Sequence, residues 1–287
     1  MELQTLESLV GEKIVGGNIA RYGDWTYHVS ILVNYEVHCG GAIIGEYFVI
    51  TAAHCIYEDE GFTNQRVAVL AGINDFFSES SFKVIVPVRK MYIPSNFKLG
   101  KRVADIAVLR LKKPLKFNEN PYVSYLTLPN EQSYEDEEAI VTGFGLEFVK
   151  VIYDESGIRH SRTGQYATKM KFAKTIVMDR PTCQTMYSSL STSSFSLNNL
   201  IVDYTHICAQ VQPDDVNTIA GICFGDSGGP LVHGNNTLIG IVIGGPYTCD
   251  EKIAPGLYTR VSFYSEFIEK AMQDNVDGTI FAMKTRY

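Results

Sequence analysis

No apolar run in this 287-residue chain approaches the roughly 18–20 residues of a membrane-spanning helix. The longest, residues 238–245, has the length of a buried strand. Basic charge is in deficit, with 25 Lys and Arg against 32 Asp and Glu and a net charge of −7. That balance argues against nucleic acid or an anionic membrane as the main partner. There is no C-x-x-C pair among the six cysteines, which sit singly at wide spacing. His stands beside or near Cys three times, at His38-Cys39, His54-Cys55 and His206-Ile207-Cys208. Zinc ligation and three disulfides in an oxidising compartment are both open on this pattern, although structural zinc sites usually pair their ligands at short spacing. Residues 1–13 carry three Glu and no apolar core, so they do not read as a signal peptide.

What is present is β-rich. With 45% hydrophobic and 20% charged residues the chain has the composition of a soluble globular protein. Short apolar runs bounded by turn residues predict strands at 28–34, 42–44, 47–53, 67–72, 83–93 and 106–111. A second series follows at 139–145, 165–177, 206–211, 230–233, 238–245 and 256–261. Six and six, with no helical pattern between them, predict two antiparallel barrels or sandwiches. Pro114, Pro121 and Pro129 mark the boundary. Residues 262–274 read as a helix capped by Ser262, with Phe263, Phe267, Ile268, Ala271 and Met272 on its core face. Segments 149–164 and 188–196 read as long surface loops, and the tail 275–287 has no evident role. Asn235-Asn236-Thr237 is a glycosylation acceptor pattern.

The stretch Gly225-Asp226-Ser227-Gly228-Gly229-Pro230 places a serine in a glycine-dense turn. A serine hydroxyl is a weak nucleophile until a base takes its proton and donors hold the oxyanion. Glycines supply such donors, because backbone N–H groups approach a ligand where no side chain intervenes. Alone, the pattern is equally a tight turn. The candidate base is His54, in Thr51-Ala52-Ala53-His54-Cys55, at a strand end and tethered by a cysteine. The candidate orienting group is Asp105, at the mouth of the apolar stretch Ile106-Ala107-Val108-Leu109, a poor place for a carboxylate without a partner.

With Ile14-Val15-Gly16-Gly17 these motifs occur in the order found in chymotrypsin-family serine proteases, and the chain resembles that family from Ile14 to about Asp274. The order His, Asp, Ser also sets it apart from α/β-hydrolase esterases. The resemblance implies an all-β fold of two six-stranded Greek-key barrels with the active site between them and a C-terminal helix. It divides the chain into an activation segment (1–13) and a protease domain (14–287). Within the latter, 14–120 is mainly the first barrel, 121–261 the second, 262–274 the helix and 275–287 the tail. It further implies that Ser227 attacks the scissile carbonyl, that His54 is the general base and that Asp105 orients the imidazole. The N–H groups of Gly225 and Ser227 would form the oxyanion hole, and the disulfides would be Cys39–Cys55, Cys183–Cys208 and Cys223–Cys249.

The same resemblance implies a secreted zymogen, cut after Lys13 by a trypsin-like protease so that the freed Ile14 ammonium pairs with Asp226. It puts Gly221 at the floor of the primary specificity pocket, Gly245 and Gly256 on its walls, and Ile222, Phe224 and Ile243 around it. A pocket without charge at its floor implies a preference for apolar side chains, narrowed by Ile222. Two residues depart from the family pattern. Ile243 stands where a serine usually donates to the catalytic Asp, and Gly244 stands where a tryptophan usually flanks the substrate. Arg102 lies at a neighbouring subsite, where a solvated loop charge is the plainer expectation. Implied partners are protein or peptide substrates, the activating protease and protein inhibitors. No cofactor or metal is expected, calcium included. The competing expectation is a non-catalytic homologue acting as a binding or regulatory protein.

Overall fold

The structure, a computed structural model, describes residues 14–58, 61–130, 132–153, 159–190, 200–215 and 217–285. Six strands build a first barrel: β1 (His28–Val33), β2 (Glu36–Gly45), β3 (Phe48–Thr51), β4 (Val67–Ala71), β5 (Val84–Pro94) and β6 (Ala107–Leu111). Each neighbour pair is antiparallel, and the ring β1-β2-β3-β6-β5-β4 closes on itself. Six more build a second: β7 (Glu138–Gly143), β8 (Lys171–Met178), β9 (His206–Val211), β10 (Pro230–His233), β11 (Thr237–Gly244) and β12 (Gly256–Arg260). Its ring, β7-β8-β9-β12-β11-β10, repeats the order of the first. Closure leaves no unpaired edge within either ring.

Alternation along the strands explains why each barrel fills from within. In β8, Lys171, Ala173, Thr175 and Val177 are buried while the residues between them are half-buried or exposed. The second barrel packs Val141, Val177, Ile207, Ala209, Leu231 and Val242 around its axis. A larger cluster joins Ile31, Val49 and Leu109 of the first barrel to Ile241, Ile243 and Leu257 of the second, so the interface is continuous core. The connecting segment is bound on both sides. Leu126 N donates to Ile43 O, and Thr127 bridges Thr237.

Several expectations are corrected. Much of segment 149–164, expected as a loop, pairs as a hairpin of Leu146–Tyr153 with Arg159–Tyr166. The barrel strand expected over 165–177 accordingly starts only at Lys171. A helix that apolar periodicity did not signal spans Arg180–Ser189, where Asp179 caps Thr182 N and a proline occupies the first turn. The C-terminal helix runs Ser265–Met272 after a 3-10 turn at Val261–Tyr264. Ser262 does not cap it; its carbonyl accepts from Ser265 Oγ. Phe263 is half exposed rather than core, because the 3-10 turn rotates it away from the face carrying Phe267, Ile268 and Ala271. The tail also has a place: Ile280–Lys284 adds a strand to β5, with Ile280 buried. Of the expected loop 188–196, residues 191–196 lie outside the described residues, as does the activation segment 1–13.

Candidate active site

His54 sits in the 3-10 turn Ala53–Cys55, which Ala52 alone separates from the end of β3. Cys55 is bonded to Cys39 of β2 and so fixes the turn to the barrel wall. Asp105 immediately precedes Ile106 and β6 and is 1% exposed. Strand pairing of β3 with β6 brings the two together. His54 Nδ1 lies 2.8 Å from Asp105 Oδ2, and His54 N donates to Oδ1 at 3.0 Å. Burial alone would raise the Asp105 carboxyl. The facing His54 imidazole, the N–H bonds from His54 and the Arg102 guanidinium outweigh it and hold the carboxyl below the usual carboxylate range.

Ser227 is carried by the turn ahead of β10. Gly225 and Gly228 both have positive φ, 98° and 79°, which only glycine adopts freely. A Cβ on Gly228 would also fall 2.2 Å from Thr51 Oγ1, so this turn lies directly against the strand that delivers His54. Gly40 N donates to Ser227 O at 2.8 Å and fixes the first barrel to the turn. Ser227 lines a cavity of about 70 Å³ together with Arg102, Ile222, Phe224, Ile243 and Gly245. His54, Asp105 and Ser227 therefore come from three separate segments at the junction of the barrels.

Asp226 is fully buried beneath this turn and accepts from Gly145 N at 2.8 Å and Cys223 N at 2.9 Å. Among the described residues no cationic side chain pairs with it, and burial pushes its carboxyl up to about 6. Ile14 is also buried, and Val15 bridges Gly221. Lys13 lies outside the described residues.

In the pocket, Ile222 rather than Gly221 closes the cavity. Its side chain reaches across so that a Cβ on the opposite wall, Gly245, would lie 3.3 Å from Ile222 Cγ1. Below it lies a residue that no sequence motif marks. Glu251 is fully buried and accepts from Val211 N at 2.6 Å and Ile222 N at 2.8 Å. Burial pushes its carboxyl up to about 8 against the pull of these N–H groups and that of Gly256. A Cβ on Gly256 would lie 2.9 Å from its Oε1. Gly221, expected at the floor, lies outside the cavity lining, and the Glu251 carboxyl beside it is sealed off by Ile222.

Arg102 differs from the plainer expectation. Its side chain is 22% exposed and its Nη1 is 3.3 Å from Asp105 Oδ2. Ile243 is completely buried and brings no polar side-chain group to Asp105. The three disulfides are Cys39–Cys55, Cys183–Cys208 and Cys223–Cys249, the pairs that the resemblance implied. Cys39, His54 and Cys55 also form a close set of metal-ligating atoms, but a disulfide has no thiolate to offer zinc.

The family model described as Trypsin matches residues 14–268. The chain belongs to the trypsin family. Ovochymase of Halocynthia roretzi is 30% identical over 267 residues, covering 89% of this chain and 15% of that protein. The chain thus spans about 15% of the length of that curated relative. Among solved structures, neuropsin, a serine protease expressed in the limbic system of mouse brain, aligns with a TM-score of 0.69 at 22% identity. The alignment covers 89% of this chain and 98% of neuropsin, a likeness of fold. Trypsin-family membership fits the two closed barrels and three disulfides. No helix among the described residues is long and apolar enough to cross a membrane.

Proposed function

We propose that the chain is a secreted serine endopeptidase that cleaves peptide bonds through an acyl-enzyme. The observation that carries the reading is the buried Asp105 carboxylate bonded at 2.8 Å to His54, with Ser227 on the wall of the adjoining cleft. In this reading His54 Nε2 takes the Ser227 proton as Oγ bonds to the scissile carbonyl carbon. The negative charge passes to the carbonyl oxygen, which the N–H groups of Gly225 and Ser227 hold. His54 then returns the proton to the leaving amine, and water repeats the sequence on the acyl-enzyme. Asp105 keeps the Nδ1–H tautomer and stabilises the imidazolium.

Cleavage after Lys13 by a trypsin-like protease frees the Ile14 ammonium to pair with Asp226, which orders the Gly225 turn. The buried positions of Ile14 and Asp226, and the lack of a cation at Asp226 among the described residues, support this activation step. Ile222, which faces Gly245 across the cavity, supports a preference for medium-sized apolar side chains at the cleaved residue, with Gly221 and Gly256 behind it. Partners in this reading are protein substrates, the activating protease and protein inhibitors.

The test is a peptide-library cleavage profile before and after limited tryptic treatment, with Ser227→Ala as control. Cleavage after Leu or Met that needs both the treatment and Ser227 supports the reading. A treated protein that cleaves nothing, or whose cleavage survives Ser227→Ala, overturns it.

A further inference from the structure

Asp105 is 1% exposed, so its carboxylate depends on protein donors for nearly all of its stabilisation. Among the described residues three N–H groups reach it. Two belong to His54: backbone N to Oδ1 at 3.0 Å and Nδ1 to Oδ2 at 2.8 Å. The third is Arg102 Nη1, 3.3 Å from Oδ2. Arg102 Nη1 is also 3.2 Å from His54 Nδ1. With Nδ1 donating to Asp105 it has no lone pair free, so the guanidinium bonds the carboxylate and only abuts the ring.

The backbone of Arg102 is held for this purpose. Arg102 and Ala104 both have positive φ, 57° and 52°, a conformation that costs free energy in residues other than glycine. His206, 3% exposed, donates from Nε2 to Arg102 O at 3.1 Å, while its Nδ1 is 3.0 Å from Asp203 Oδ1. A buried side chain of the second barrel thus clamps a strained loop of the first, at the residue whose guanidinium meets Asp105. A solvated loop charge would need neither the strain nor the clamp.

Resting on the serine protease reading, we propose that Arg102 is a positioning residue for catalysis. It fixes Asp105 Oδ2, and through it the His54 ring, and takes the donor role that the apolar Ile243 leaves open. Asp203 and His206 hold it there.

The experiment uses the full chain after cleavage behind Lys13. Wild type, Arg102→Ala and Arg102→Lys are assayed on two peptides that differ only in Ala or Asp at the residue before the cleaved one. We expect Arg102→Ala to lower kcat about 10- to 100-fold on both peptides, as loss of a charge-assisted bond to a buried carboxylate implies. KM should stay within about 2-fold, and Arg102→Lys should recover most of kcat by restoring a cationic donor. Unchanged kcat on both peptides overturns the proposal. So does a loss confined to KM on the Asp peptide, which makes Arg102 a substrate contact only. If Arg102→Ala does not fold, Arg102→Lys decides: kcat within a few-fold of wild type supports the proposal, and a loss as deep as at an unrelated destabilising site overturns it. A cut wild type that cleaves neither peptide overturns the protease reading itself, whereas an active wild type with an unaffected Arg102→Ala overturns only the role of Arg102.

Discussion

A Cβ on Gly221 would fall 2.7 Å from Cγ of Glu251, so this glycine and the buried carboxyl occupy adjoining space. Glu251 reaches that position from the loop after Cys249 and bonds Ile222 N from below. Ile222 is the only side chain of this group that lines the cavity; Gly221, Gly256 and Glu251 lie behind it. Ile222→Gly keeps the N–H that Glu251 needs and removes the seal. It should raise kcat/KM for Lys at the cleaved position by about 10-fold or more, as expected for a charge-assisted contact with a newly accessible carboxyl. Adding Glu251→Gln should abolish the gain. Peptide kinetics on matched Leu and Lys substrates checks both, and a Lys gain that persists without Glu251 would remove the carboxyl from the explanation.

Stability should fall as pH rises. Asp226 and Glu251 are pushed up by burial, to about 6 and about 8. A carboxyl with a raised folded pKa binds its proton more tightly in the folded state. Its stabilising contribution is full below the unfolded pKa and is lost as pH passes the folded one. The uncut chain should therefore lose stability in two stages between about pH 4 and about pH 9. Glu251→Gln should flatten the upper stage whatever it does to the absolute level. Urea midpoints measured across this range test the account, and a wild-type curve flat from about pH 6 to about pH 9 would contradict it.

How much of this could be read from the sequence depends on the range over which each feature is determined. The barrel strands are set by short apolar runs, and most appear within a few residues of their expected ends. His54 and Asp105 stand in short motifs, and the structure brings them within 2.8 Å of each other. Glu251 carries no such signal. It is one acid in the polar stretch Cys249-Asp250-Glu251-Lys252, and only the pairing of β9, β11 and β12 puts it under a glycine thirty positions earlier. Arg102 was hidden for the same reason, because its contact with Asp105 depends on a left-handed backbone held by His206. Ile280–Lys284 becomes a strand only because β5 runs on past its pairing with β4, which ends at Pro87, and Lys90–Pro94 can take a further partner there. The helix at Arg180–Ser189 did have a local mark, Asp179 followed by Pro181, but its sparse apolar residues gave no periodicity to support it.

Cleavage after Lys13 should be required for activity. Lys13→Gln should resist tryptic activation and remain at least about 10³-fold less active than the cut wild type, as expected where the oxyanion hole is not ordered. In the cut enzyme the Ile14 ammonium titrates instead, so activity should decline on the alkaline side as that group loses its proton. Activity assays over pH on both proteins check this. Full activity in Lys13→Gln, or no alkaline limb, would count against the Ile14–Asp226 pairing.

Truncation after residue 278 should destabilise the first barrel without touching the chemistry. It removes the strand Ile280–Lys284, the buried Ile280 side chain and the bond from Thr285 Oγ1 to Val88 O. Burial of an isoleucine alone contributes about 1.5–3 kcal/mol, so the unfolding free energy should fall by that order and the urea midpoint with it, while kcat at low temperature is unchanged. An unaltered midpoint would show that the added strand contributes nothing.

In the proposed reading Ser227 is a nucleophile activated by His54. A fluorophosphonate reacts with an activated serine and with few others, so the cut protein should take up one label, located at Ser227 by peptide mass. The uncut protein should react far more slowly, and Ser227→Ala or His54→Ala should not react. A correctly cut and folded protein that leaves Ser227 unlabelled would contradict the account at its centre.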